Sequence, residues 1–383
     1  MTATATTRRL RLASGPGLCS GDWVEVKTKE EILASLDERG TLDGMPFMPE
    51  MLEFCGRRFQ VYKRANKACD FSQGMQARRI SSAVHLDGVR CSGAAHGGCQ
   101  AECLLFWKEA WLKPVSGPLE NTTASANGRI GVDLESVDAG QPRPAGCTEE
   151  LLHVHTRESG EGEPVYLCQG TTILRFSTPL RASELDQYVE AYTSGGVRLR
   201  EMPAPLIFRL YERLVWSRLG RNGLPQRVYD IFQKLRGGVP YPNRPGLVPD
   251  GTKTPRGTPL NLQPGDYVRV KSHKEILATL NREGKNRGLL FSQELVPYCG
   301  QICRVHSRVS RIIDEASRKM LQFSNDCIIL ENVICRGRYN AGLAFCPRAN
   351  YPYWREIWLE RVAPGDVPAD LKTAAPCDGT EAS

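Results

Sequence analysis

The residues of this chain best equipped for chemistry lie in one stretch, VHLDGVRCSGAAHGGCQAEC, which presents His85, Cys91, His96, Cys99 and Cys103. The last four follow a C-x4-H-x2-C-x3-C pattern. Thiolate and imidazole suit zinc, and three cysteines with one histidine make a common tetrahedral structural site. Ser92 to Ala95 are all small, and Gly93, Gly97 and Gly98 let the backbone bend so that several side chains converge. The spacing is not that of a finger or ribbon built on two tight C-x2-C pairs. The stretch is expected to bind zinc, with Cys55 as a further candidate ligand. Two other readings stay open. The cysteines are also explained as small buried core residues with His96 in a loop, or as reactive or redox thiols.

These residues belong to a segment that the chain repeats. Gly21–Val115 returns as Gly265–Val362: GDWVEVKTKEEILASLDERG reappears as GDYVRVKSHKEILATLNREG, and WKEAWLKPV as WREIWLERV. Cys55 matches Cys299, Cys91 matches Cys335, and Cys99 matches Cys346. The second copy offers Cys299, Cys303, Cys327, Cys335 and Cys346 but no histidine in the equivalent loop. A site built from Cys299, Cys327, Cys335 and Cys346 would suit zinc or, as the rival, iron or an iron–sulfur cluster. Repeated core positions account for the same cysteines. Cys69 aligns with Ile313, which favours burial, Cys103 aligns with Asn350, and His96 falls where the copies differ in length. The first copy alone therefore carries the extra ligand-capable groups.

The elements that must position these residues follow from local pattern. Gly-Asp makes a turn and Trp23, Val24 and Val26 open a strand. Thr28 stands three residues before Glu31, a capping box, and Ile32, Leu33 and Leu36 line one face of the helix that Gly40 ends. Ser272, Glu275, Ile276, Leu277, Leu280 and Gly284 repeat the plan. FQVYKR and its copy CRVHSR alternate as strands. Trp107, Trp111, Trp354 and Trp358 are read as packing residues, and Glu109 and Glu356 as salt-bridged scaffold. Residues 116–150 read as a linker, 151–236 as a mostly helical middle, 237–264 as a Pro- and Gly-rich linker, 1–20 as a disordered leader and 363–383 as a tail. In the middle, ASELDQYVEAYTSGGV, PAPLIFRLYERLVWSRLG and LPQRVYDIFQKLRGG are helices, and the second places Leu206, Ile207, Leu210, Leu214, Val215 and Leu219 at helical spacing. His153 and His155 would share a face if extended, near Cys147 and Cys168; a second metal site is weighed there against an exposed edge. The fold class expected is α+β: two homologous β-rich modules, possible SH3-like barrels from their first strands, joined by the helical middle.

The motifs HGGC, CPR, YPYWREIWLERV and the GDYVRVK repeat resemble a group of uncharacterised bacterial proteins, over most of the chain from Gly21 to Val362. The resemblance implies a place beside genes for secondary metabolites or surface polysaccharides, hence a biosynthetic setting. It implies no activity.

Composition narrows the classes. The chain has 383 residues, 41% hydrophobic and 24% charged, with fourteen cysteines and a formal charge of +7. Its basic residues are interspersed with acids, which disfavours a nucleic-acid partner. No run reaches the length of a membrane helix, and the N-terminus lacks an apolar signal core. A cytoplasmic location with reduced thiols is expected. No Walker loop, dinucleotide fingerprint, HExxH, GxSxG or CxxC occurs. The leading functional expectation is a zinc-binding tandem-module protein acting as a binding or accessory component, with an unknown protein or small-molecule partner. The alternatives are a metalloenzyme or thiolate-dependent enzyme with its site in His85–Cys103, and a nucleic-acid-binding tandem of SH3-like modules.

Overall fold

The computed structural model describes residues 17–72, 74–118, 146–158, 162–216, 223–235, 238–340, 342–369 and 371. Residues 1–16 of the leader, most of the first linker, the end of the tail and Cys377 lie outside them; the last leader residues are ordered, Leu18 being buried in the core and the Ser20 N–H donating to the Ser194 carbonyl at 2.8 Å. Strands and short helices are mixed, and the paired strands are antiparallel. Among the described residues no helix is long and apolar enough to cross a membrane.

The strand Trp23–Val26 sits between Arg58–Arg64 and Leu112–Val115, and the sheet continues through Ala83–Leu86 to Trp107–Lys108. In the second repeat Tyr267–Val270 sits between Ile302–Ile313 and Leu359–Arg361, with Met320–Leu330 beyond. The registers correspond pair by pair. Val24 faces Phe59 as Val268 faces Cys303, and Val84 bridges Trp107 as Ile328 bridges Trp354. The alternation Val24, Val26 and Val268, Val270 sends every second side chain inward, fully buried. Both capping boxes form, on Thr28 and Glu31 and on Ser272 and Glu275, starting the helices Lys29–Leu33 and His273–Leu277.

Each sheet closes on tryptophan. Trp107, Trp111, Trp354 and Trp358 are fully buried. Phe47 meets Trp111 edge-on at 5.2 Å, and Phe291 meets Trp358 edge-on at the same 5.2 Å. The glutamates between the tryptophans are scaffold: Glu109 pairs with Arg64 at 2.6 Å, and Glu356 pairs with the aligned Arg308 at 3.2 Å. One difference separates the copies. Ile302–Ile313 and Met320–Leu330 are long and unbroken, whereas the first copy splits each into two strands, Arg58–Arg64 with Lys67–Asp70 and Gln76–Ile80 with Ala83–Leu86.

The middle segment does not simply separate the repeats. Ser177–Pro179 adds to the edge of Gln76–Ile80, and Asp186–Thr193 lays Gln187 and Tyr188 against buried Lys67. The stretch VYLCQGTTILRFSTPL forms two short strands, Val165–Tyr166 and Ser177–Pro179, flanking a single 3-10 turn. His153 lies in the helix Glu149–Val154 and His155 caps its end, so the two imidazoles do not share a strand face.

Candidate functional site

The cysteine loop of the first repeat is held from three sides. Glu50 follows Pro49 at the start of a 3-10 turn and is buried beneath the loop. Its Oε1 accepts the Ala95 N–H at 3.0 Å and lies 2.8 Å from His96 Nδ1. The aligned Glu294 accepts the Tyr339 N–H at 2.5 Å and the Arg338 N–H at 3.0 Å. In both copies a buried carboxylate therefore satisfies loop N–H groups that burial would otherwise leave unpaired. Gly93 explains the loop's sharp entry. At φ +68° a Cβ there would lie 2.0 Å from the Cys99 carbonyl oxygen, so only glycine fits.

Both histidines and Cys99 are engaged elsewhere. His85 is fully buried, its Nδ1 2.8 Å from the Leu105 carbonyl and its ring against Phe106. Burial pushes its pKa down to about 3. His96 has both ring nitrogens occupied, Nδ1 by Glu50 and Nε2 by the Leu167 carbonyl at 3.1 Å. A carbonyl only accepts, so Nε2 carries a proton and offers no lone pair to a metal. Cys99 Sγ accepts the Ile313 N–H at 3.3 Å. Cys91 and Cys103 join through their backbones at 2.9 Å, as Cys335 joins Asn350 at 2.9 Å in the second copy.

The thiols are packed as neutral groups. Burial raises Cys91 and Cys99, and pushes Cys103, Cys299, Cys303 and Cys335 up to about 12 and Cys55 and Cys327 up to about 11. The buried thiols keep their protons and are poor nucleophiles. Cys327 is completely buried against Val309 and Ile329. Cys346 and Cys69 form a buried pair in which the Cys346 hydrogen bond, then burial, raises Cys69. Among the described residues no group of three or more His, Cys, Asp or Glu side chains is placed to hold a metal ion. As placed, the described residues do not gather into the zinc, iron or iron–sulfur ligand sets read from the sequence.

What the loops do is join the repeats. Gln100 Oε1 accepts the Ser310 N–H at 2.8 Å, and Glu102 reaches His306 at 2.7 Å and Ser307 at 3.1 Å. In the other direction Lys67 Nζ donates to the Ala344 carbonyl at 2.7 Å, and Arg348 Nη1 to the Cys69 carbonyl at 2.6 Å. Arg90 donates to the Glu102 carbonyl at 2.8 Å and to the aligned Ala349 carbonyl at 3.0 Å, with its guanidinium 3.8 Å from the Tyr351 ring centroid. Gln100, Glu102, Arg90, Lys67 and Arg348 carry this junction. None stands out in the sequence; of the loop's supports, Glu50 alone left a signal there, its match with Glu294.

A second feature lies in the helical middle. Pro203–Trp216 buries Phe208 and Val215 beside Tyr241, with Tyr211 and Tyr229 packed against them. The stripe that sequence spacing treats as one face is split, because Leu206, Ile207, Leu210 and Leu214 point outward. On Leu224–Leu235 the apolar residues Leu224, Val228, Ile231, Phe232 and Leu235 are also exposed. No protein-family model, curated protein or solved structure matches the chain.

Proposed function

We propose that this protein is a binding component that works by docking another protein chain onto its helical hairpin, with the two β-rich repeats, read as SH3-like modules, serving as the rigid base. The observation that carries this reading is an apolar seam that is exposed among the described residues. Ile207 and Leu210 are 64% and 69% exposed, and Ile231 and Leu235 are 63% and 82% exposed. Isolated exposed apolar residues need no explanation, but rows of them at helical spacing on two helices that pack together mark an interaction site.

Spacing and charge say what fits. Ile207, Leu210 and Leu214 are spaced three and four apart, and Leu224, Val228, Ile231 and Leu235 four, three and four. That is the repeat by which one helix packs against another. The rim is basic: Arg213, Arg227 and Lys234 are exposed and carry no ion pair among the described residues. The acids nearby are taken, Asp230 by Arg244, Glu201 by Arg338 and Glu212 by Asn243 at 2.9 Å. The partner is therefore an amphipathic helix with an acidic flank, and two basic rims disfavour a second copy of this chain. A place in a bacterial biosynthetic pathway rests on the resemblance alone.

A photo-crosslinking residue placed at Leu210 or Ile231, with exposed Lys274 as the control position, tests the reading in cells that naturally produce the protein. Adducts to a different chain from the two seam positions, and none from Lys274, are expected. The absence of adducts from the seam, or adducts of two copies only, contradicts it.

A further inference from the structure

A cavity of about 340 Å³ lies where residues 152–158 and 167–175 pack over the first repeat. We infer that it binds a small organic anion, an apolar body ending in a carboxylate or phosphate. Its size falls within the range of ligand pockets, about 300–1,000 Å³.

The mouth is cationic. Arg39, Arg157 and Arg175 line it, and Glu158 is the one carboxylate among the lining residues. Glu158 is shared between Arg175 at 3.6 Å and Arg318 at 3.5 Å. Among the described residues the guanidinium groups of Arg39 and Arg157 have no hydrogen-bond or ion-pair partner. Two uncommitted guanidinium groups at one opening suit a planar carboxylate or a phosphate, which accepts paired N–H bonds.

The inner wall is of another kind. Phe47, Met48, Leu152 and Leu167 line it, and His96 lies on its floor. His96 is paired with Glu50 at 2.8 Å beneath these apolar side chains, so the depth of the cavity favours an apolar body and its mouth an anionic end. Ligand hydroxyls find few donors inside, since Thr156 and Thr172 donate to the carbonyls of His153 and Cys168.

The comparison between repeats sharpens the assignment. Arg39 aligns with Glu283, which pairs with its neighbour Lys285 at 2.8 Å, and Met48 aligns with Ser292. The corresponding edge of the second repeat is strapped by Pro- and Gly-rich chain, with Leu247 N–H on the Leu277 carbonyl at 2.9 Å and Asn286 on the Pro255 carbonyl at 3.1 Å. The copies thus share a scaffold and part at the residues that give the first one an arginine-rimmed opening.

Titration calorimetry on the full chain with phenyl phosphate, phenylacetate, inorganic phosphate and neutral benzyl alcohol tests the assignment. Phenyl phosphate or phenylacetate is expected to bind, more tightly than inorganic phosphate, and benzyl alcohol not to bind. The aromatic arm that binds better tells phosphate from carboxylate ligands. Arg39→Ala and Arg157→Ala are each expected to weaken binding about tenfold, while Lys274→Ala leaves it unchanged. Both arginines are exposed, so the variants fold. No binding of either aromatic anion up to about 10 mM, or binding that both arginine variants leave unchanged, overturns the proposal.

Discussion

Cys99 of the first repeat accepts the backbone N–H of Ile313 in the second at 3.3 Å. Ile313 aligns with Cys69, and Cys69 hydrogen-bonds Cys346, the counterpart of Cys99. Each repeat therefore offers its loop cysteine to the same strand position of the other. That reciprocity is the mark of a two-fold, isologous contact, here made within one chain. Arg90 sits where the halves meet, donating to equivalent carbonyls of both. The junction accounts for Cys99 and Cys346, and core packing for Cys55, Cys91 and Cys299.

The junction can be probed at Arg348. Its guanidinium is buried, bonded to the Cys69 carbonyl and paired with Glu315. Removing one partner of a buried pair leaves the other uncompensated, at about 3–5 kcal/mol. Arg348→Met is expected to destabilise by about 3 kcal/mol in urea denaturation, and the double variant Arg348→Met, Glu315→Leu to recover part of that loss. Additive losses in the double-mutant cycle would show that the two residues do not act as a unit.

Stability at acid pH should depend on His85. Burial holds its pKa at about 3 against an ordinary 6.5. Below pH 6.5 the unfolded chain takes up a proton that the folded chain refuses. The contribution is whole above pH 6.5 and is lost as pH falls toward 3, at up to about 1.4 kcal/mol per unit. His85→Phe should flatten this limb of the pH–Tm curve while lowering stability near neutrality by about 1 kcal/mol, the bond to Leu105 being lost. An unchanged slope would mean that His85 is not the group responsible.

The thiols set the opposite limb. Cys103, Cys299, Cys303 and Cys335 stay protonated to about 12 against an ordinary 9. Above pH 9 the unfolded chain releases protons that the folded chain retains, so stability is whole below 9 and falls as pH rises toward 12. Lys67 works against this, because burial lowers its pKa to about 8 and its contribution grows from pH 8 to 10.5. The four thiols outweigh the single amine, at up to about 1.4 kcal/mol per group per unit. Alkaline unfolding followed by circular dichroism should therefore begin near pH 10, and Cys303→Ala should make it less steep. A flat profile to pH 11 contradicts the neutral-thiol description.

The repeat, the capping boxes, the strand starts and the three middle helices were legible because each rests on spacing between near neighbours, as in Thr28 with Glu31. The junction was not. Gln100 meets Ser310, and Lys67 meets Ala344, across separations that no local pattern encodes. The surroundings of the loop histidine were hidden for a related reason: Glu50 and Leu167, which face the two ring nitrogens of His96, are both distant in sequence. Helical periodicity identified an apolar stripe on Pro203–Trp216 without revealing that only Phe208 and Val215 would find a core.

The central claim is that the hairpin is a docking surface for an acidic amphipathic helix. Fluorescence anisotropy with a labelled helical peptide, leucine at its seam positions and glutamate flanking them, measures this on the purified full chain. The account predicts saturable binding that weakens with added salt and is abolished by Ile207→Glu with Ile231→Glu, both exposed positions whose change spares the core. Absence of binding, or binding that the double variant leaves intact, would contradict it.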